Sequence, residues 1–165
     1  MKGDPSSDGG VGGDAIGFRQ AWPTVEVVLY EDDATDAVCA ELERRCWTIE
    51  QHLRSTERGD DIIATRGAQR FIIECKGETS FNVRTNRYGK PFDPGQVNSH
   101  VSRAMLRAMR VVSEGHLAGV AFPEERRHRI EVEKVRIAIE RLGVVVCWVT
   151  RDGIAKLDVP ADISV

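Results

Sequence analysis

Hydrophobic positions along this chain switch repeatedly between the period of a strand and that of a helix, and the switches outline its elements. Residues 25–30 form a short β-like run, followed by Glu31-Asp32-Asp33, an acidic stretch suited to the unpaired N–H groups at a helix start. Val38 and Leu42 recur four residues apart, which predicts a first helix over 34–45. Residues 47–51, 61–65 and 69–76 read as three strands, separated by the turn signals Arg58-Gly59-Asp60 and Arg66-Gly67-Ala68. A second helix is expected over 96–112, where Val97, Val101, Met105, Ala108 and Val112 make an apolar stripe. Gln96, His100, Arg103, Arg107 and Arg110 make a polar one, expected on the opposite side of the rod. Residues 116–122 read as a strand closed by Pro123. Residues 129–142 read as an amphipathic helix with Val132, Val135, Ile139 and Leu142 inward and Gly143 as its cap. The nearly unbroken apolar run 144–150 is the pattern of a strand covered on both faces, with a short strand following at 154–157.

The resulting order, α-β-β-β-α-β-α-β, predicts a three-layer α/β/α domain around a central mixed sheet. At 165 residues the chain is long enough for one domain with its own core. Residues 1–18, rich in Gly, Ser and Asp, read as a flexible leader, which leaves 19–165 as the single domain. No apolar run approaches the ~20 residues that span a bilayer, and the N-terminus lacks the features of a secretion signal, so a cytoplasmic protein is expected. The four cysteines, Cys39, Cys46, Cys75 and Cys147, have no Cys-x-x-Cys spacing, and three of them sit in apolar patterns, which predicts buried thiols and makes a zinc site improbable.

The candidate chemistry lies at the end of the third strand. In Phe71-Ile72-Ile73-Glu74-Cys75-Lys76, alternation sends Glu74 and Lys76 to one face and Cys75 into the core. The hairpin from the preceding strand brings Asp61 to the same end. Charge placed directly after a buried apolar run is costly unless it is used. Two carboxylates beside an ammonium offer oxygen ligands for Mg²⁺ or Mn²⁺ and a group that can orient or deprotonate water. A surface cross-strand pair is the plainer reading of Glu74 and Lys76. The net charge of −3 argues against coating nucleic acid by bulk charge. Between Thr79 and Ser113, however, six basic residues (Arg84, Arg87, Lys90, Arg103, Arg107 and Arg110) face a single acid, Asp93. That local excess would lie beside the carboxylates.

Asp61 followed by Glu74-x-Lys76 on consecutive strands, after an opening helix and before a helix starting near Gln96, resembles the PD-(D/E)XK nuclease superfamily over residues 34–150. The resemblance implies the restriction-endonuclease-like fold, with Asp61 and Glu74 as metal ligands and Lys76 positioning the attacking water. It also implies a role for Gln96, where members of the superfamily often place a Gln or Lys, with His100 one turn later facing the same way. Asp60 stands where the motif has proline and competes with Asp61 as ligand. For the acid that some members carry on the first helix, Asp36 is the nearest candidate and Glu41 lies behind it. The function implied is Mg²⁺-dependent cleavage of DNA by an endonuclease of restriction or repair type. His100, Arg84, Arg87, Lys90, Arg103 and Arg107 would bind nucleic acid, and a homodimer could cut both strands. An RNA substrate stays open, as does a nuclease-like module that binds without cutting.

Overall fold

The computed structural model describes residues 28–80 and 88–165. The elements are α1 (Glu31–Arg44), β1 (Thr48–His52), β2 (Ile62–Arg66), β3 (Gln69–Cys75), α2 (Pro94–Ser113), β4 (Leu117–Pro123), α3 (Arg126–Glu133), α4 (Arg136–Leu142), β5 (Val145–Val149) and β6 (Ala155–Asp158). Six strands form one sheet in sequence order. β1, β2 and β3 are an antiparallel meander; β3–β4 and β4–β5 are parallel, and β6 returns antiparallel to β5. Gly67, at φ 60°, supplies the positive φ that the two-residue turn between Arg66 and Gln69 requires.

Parallel pairing explains the run of apolar residues in β5. Both faces of an inner parallel strand are covered by helices, so all five residues of β5 are buried. α1 covers one face, over a core that includes Val38, Leu42, Ile62, Phe71, Ile73, Cys75 and Cys147. α2, α3 and α4 cover the other, over Ile63, Ile72, Val97, Val101, Phe122, Val146 and Trp148. The domain is therefore an α/β fold with a mixed sheet, as the pattern predicted. Cys39, Cys75 and Cys147 are buried and Cys46 is exposed. No described helix is long and apolar enough to cross a membrane.

Three expectations need correction. The helix expected over 129–142 is two helices, because Val135 leaves helical geometry (φ −119°, ψ 11°) and caps α4. Val135 is consequently exposed while Val132 and Ile139 are buried. Leu29 and Tyr30 are not in a strand; residues 25–27 and the leader at 1–18 lie outside the described residues. The two stripes of α2 are neighbours and not opposites. At about 100° per residue, a position three along from Val97 lies only about 60° away from it. His100 and Arg107 thus flank the buried edge and are partly covered, whereas Arg103 and Arg110 are exposed.

Candidate functional site

Strand register decides which charged groups meet. Ile62 of β2 pairs with Ile73 of β3, so Asp61 and Glu74 occupy the next step of the same ladder. Cross-strand partners share a face. By alternation that face is the one on which Ile63 and Ile72 pack beneath α2, while Ile73 and Cys75 turn to the α1 core. Lys76 follows the strand end, its N–H donating to the carbonyl of Ala121 on β4 at 3.0 Å. One ammonium then gathers the cluster. Lys76 Nζ donates to Glu74 Oε1 at 2.7 Å and to the Cys75 carbonyl at 2.6 Å. It lies 3.6 Å from Glu31 Oε2 and 3.9 Å from Asp61 Oδ2. Asp61 Oδ2 also accepts the backbone N–H of Cys75 at 2.7 Å, which fixes the carboxylate across the hairpin.

Electrostatics at this strand end is finely balanced. Burial, reinforced by Glu74, pushes the Asp61 carboxyl up to about 7, against the pull of Lys76 and the Cys75 N–H. Burial likewise raises Glu31, partly offset by Lys76. Burial opposes the charge on Lys76, but Glu31, Glu74 and Asp61 together hold the ammonium above its ordinary range. Lys76 is therefore a cation at neutral pH, placed to donate hydrogen bonds.

Glu31 is the member that sequence reasoning missed. It is the first residue of α1, where its acidity had an adequate explanation in the helix dipole. What brings it to the strand end is Gly77. A Cβ at Gly77 would stand 2.6 Å from the Glu31 nitrogen and 2.9 Å from the Leu29 carbonyl, so only glycine lets the start of α1 close onto the end of β3. The backbone N–H of Glu78 then donates to the Leu29 carbonyl at 2.8 Å. The Glu78 carboxylate is buried, and both of its oxygens accept from Arg151 Nε at 3.1 Å. The glycine directly after Glu-x-Lys is the signal in the sequence from which the contact between α1 and the end of β3 could have been found.

Asp36 pairs with His52 at 3.0 Å and with Arg54 at 3.0 Å, and Glu41 is held by Arg44 and by Arg45. Neither joins the cluster; the acid of α1 that lies beside Lys76 is Glu31. Asp60 is engaged by Arg107, Nε to Oδ1 at 2.6 Å, which leaves Asp61 as the carboxylate facing Lys76. Arg107 is in turn no free phosphate contact, since it also approaches Glu114 at 3.4 Å. Gln96 sits in a capping box: its side-chain carbonyl accepts the Asp93 N–H, and Asp93 accepts the Gln96 N–H, both at 3.0 Å. The capping box accounts for the hydrogen bonds that Gln96 makes. His100 lies edge-on to Phe92 at 4.4 Å, its Nδ1 buried and unpartnered. Burial, and then the nearby Lys76 cation, lower its pKa to about 4, so the imidazole is neutral. Lys90 and Arg103 are exposed cations. Arg84 and Arg87 lie outside the described residues.

His128, in the first turn of α3, is fully buried. It is stacked on Phe122 and paired through Nδ1 with Glu125 at 2.6 Å. Compared with protein-family models, with curated proteins and with solved structures, the chain matches none.

Proposed function

We propose that this domain is a divalent-metal-dependent nuclease of the PD-(D/E)XK type, acting on DNA. The observation that carries the reading is the placement of Asp61, Glu74 and Glu31 carboxylates within 3.9 Å of one lysine ammonium, at the C-terminal end of β3. The donor chemistry fits Mg²⁺ or Mn²⁺: carboxylate and carbonyl oxygens alone, with no soft ligand. Asp61 and Glu74 would hold the ion, with Glu31 and the Cys75 carbonyl beside them. Such an ion supplies charge neutralisation on a phosphodiester and raises the acidity of water. Lys76 would hold the attacking water by hydrogen bonding, and the exposed cations Lys90 and Arg103 would attract flanking phosphates.

One observation favours a nuclease-like module that binds without cutting. Among the described residues, no group of three or more His, Cys, Asp or Glu side chains is arranged to hold a metal ion. Mg²⁺, however, is commonly held by only one or two carboxylates with waters and substrate oxygens, so an incomplete protein cage is compatible with nuclease chemistry. A supercoiled-plasmid assay separates the two readings. Cleavage should require Mg²⁺ or Mn²⁺ and disappear with chelator and with Glu74→Gln; intact plasmid at all metal concentrations would leave only the binding module.

A pH dependence follows from Asp61. Its proton competes with the metal below about pH 7. Mn²⁺ affinity measured by calorimetry should therefore fall by up to about tenfold between pH 7 and pH 6, with proton release on binding. Unchanged affinity across that range would remove Asp61 from the ligand set.

A further inference from the structure

Arg107 belongs to the basic stripe of α2, yet its guanidinium is directed back to the turn that carries Asp61. Its Nε donates to Asp60 Oδ1 at 2.6 Å, a contact between residues 47 positions apart and only partly exposed on both sides. The same turn is held at two backbone points, from β1 and from the residue just after it. Gln51 Nε2 donates to the Asp60 carbonyl at 2.6 Å, and the N–H of Leu53 donates to the Asp61 carbonyl at 2.8 Å. The backbone of residues 60 and 61 is thus tied to β1 and Leu53, and the Asp60 side chain to α2. The Asp61 carboxylate is left to meet the Cys75 N–H.

We propose that Arg107 is a positioning residue: by clamping Asp60 it fixes the neighbouring peptide unit and holds the Asp61 carboxylate over β3. The consequence is a division of labour along α2, in which Arg103 and Arg110 are the cations available to phosphate and Arg107 serves the carboxylate site. This inference rests on the nuclease reading for its functional meaning, although the positioning itself is testable without metal or substrate. A carboxylate that supports a ligand from the next residue acts as an outer shell does in metal sites, where losing such support typically costs about 10- to 100-fold in affinity or activity.

The test uses the full chain with Arg107→Ala, Arg107→Lys and the neutral pair Asp60→Asn/Arg107→Gln. The first readout is amide hydrogen exchange at Cys75, whose N–H is bound by the Asp61 carboxylate, with Ile72, further back along β3, as the internal control. Arg107→Ala should speed exchange at Cys75 at least about tenfold while leaving Ile72 within about twofold, which a general loss of stability would not do. The neutral pair should restore part of the protection, because it no longer leaves the Asp60 charge without its partner. The second readout is Mn²⁺ affinity, expected to drop by about 10- to 100-fold in Arg107→Ala. Cys75 protection equal to wild type in Arg107→Ala overturns the proposal. So does an unchanged Mn²⁺ affinity combined with a salt dependence of DNA binding that loses about one unit of slope, the signature of a lost phosphate contact. If Cys75 loosens as expected but the wild-type chain binds no Mn²⁺, the positioning role stands and the nuclease reading falls.

Discussion

Lys76→Ala is expected to abolish plasmid cleavage and to heighten a pH dependence of stability that the domain already has. Loss of the group that orients water should cost on the order of 10³-fold in rate, within the span typical of positioned side chains in proton and water chemistry. The effect on stability comes from the same atoms. Lys76 is the cation nearest to Glu74, Glu31 and Asp61, and removing one partner of a largely buried ion pair costs about 3 kcal/mol. The sign of the pH dependence follows from the carboxyls that remain. A carboxyl whose folded pKa is raised contributes stability at low pH and loses it as pH climbs from the unfolded value to the folded one. For Asp61 that window already runs from 3.8 to about 7, and without the ammonium it extends higher. Thermal denaturation of Lys76→Ala should therefore approach wild type near pH 5 and fall well below it at pH 8. Added Mn²⁺ should recover part of the pH 8 deficit without recovering cleavage, because a divalent ion can satisfy the carboxylates but not replace the amine. A deficit that is constant with pH would show that the three carboxylates do not depend on Lys76.

Gly77→Ala is the second change with a large expected effect, although it adds one methyl group and touches no ionisable side chain. The new Cβ would meet backbone atoms of Leu29, Tyr30 and Glu31 at 2.6–2.9 Å, and backbone cannot swing aside as a flexible side chain can. The start of α1 must retreat, taking Glu31 away from Lys76 and stretching the hydrogen bond from Glu78 to Leu29. Strain of this kind costs about 2 kcal/mol. Cleavage should fall as far as it does in Glu31→Gln, and the two changes combined should be no worse for activity than either alone. Gly95→Ala is the control: its Cβ would meet nothing closer than Asp93 Oδ1 at 3.4 Å, in the first turn of α2 where alanine is well tolerated. Denaturation midpoints and nicking rates of the three variants check the expectation. A Gly77→Ala variant as stable and active as wild type would mean that α1 is not held against β3 as described.

Much of this arrangement was legible in the sequence because two simple periods govern it. Alternation through 69–76 placed Glu74 and Lys76 on one face and Cys75 inside, and the glycine turn at 66–68 put Asp61 alongside them. The unbroken run before Thr150 announced a central strand covered on both sides. What escaped were contacts between distant segments. Glu31 looks like a helix-dipole residue until the fold brings α1 against Gly77. Arg107 looks like a phosphate contact until Asp60 arrives from 47 residues away. Gln96 fits the resemblance and also the local rule for a capping box, and the local rule accounts for its observed hydrogen bonds. Periodicity says which face a residue occupies; it does not say which charge from elsewhere will be waiting there.

The claim on which the account depends is that the carboxylates at the end of β3 bind a divalent ion. Anomalous scattering from a Mn²⁺-soaked crystal measures this directly. The account predicts one strong peak at ligand distance, about 2.0–2.3 Å, from an Asp61 oxygen and a Glu74 oxygen, with Lys76 Nζ close by but not coordinating. A map with no peak between those two carboxylates at millimolar Mn²⁺, with the Lys76 ammonium still seated among them, would contradict it.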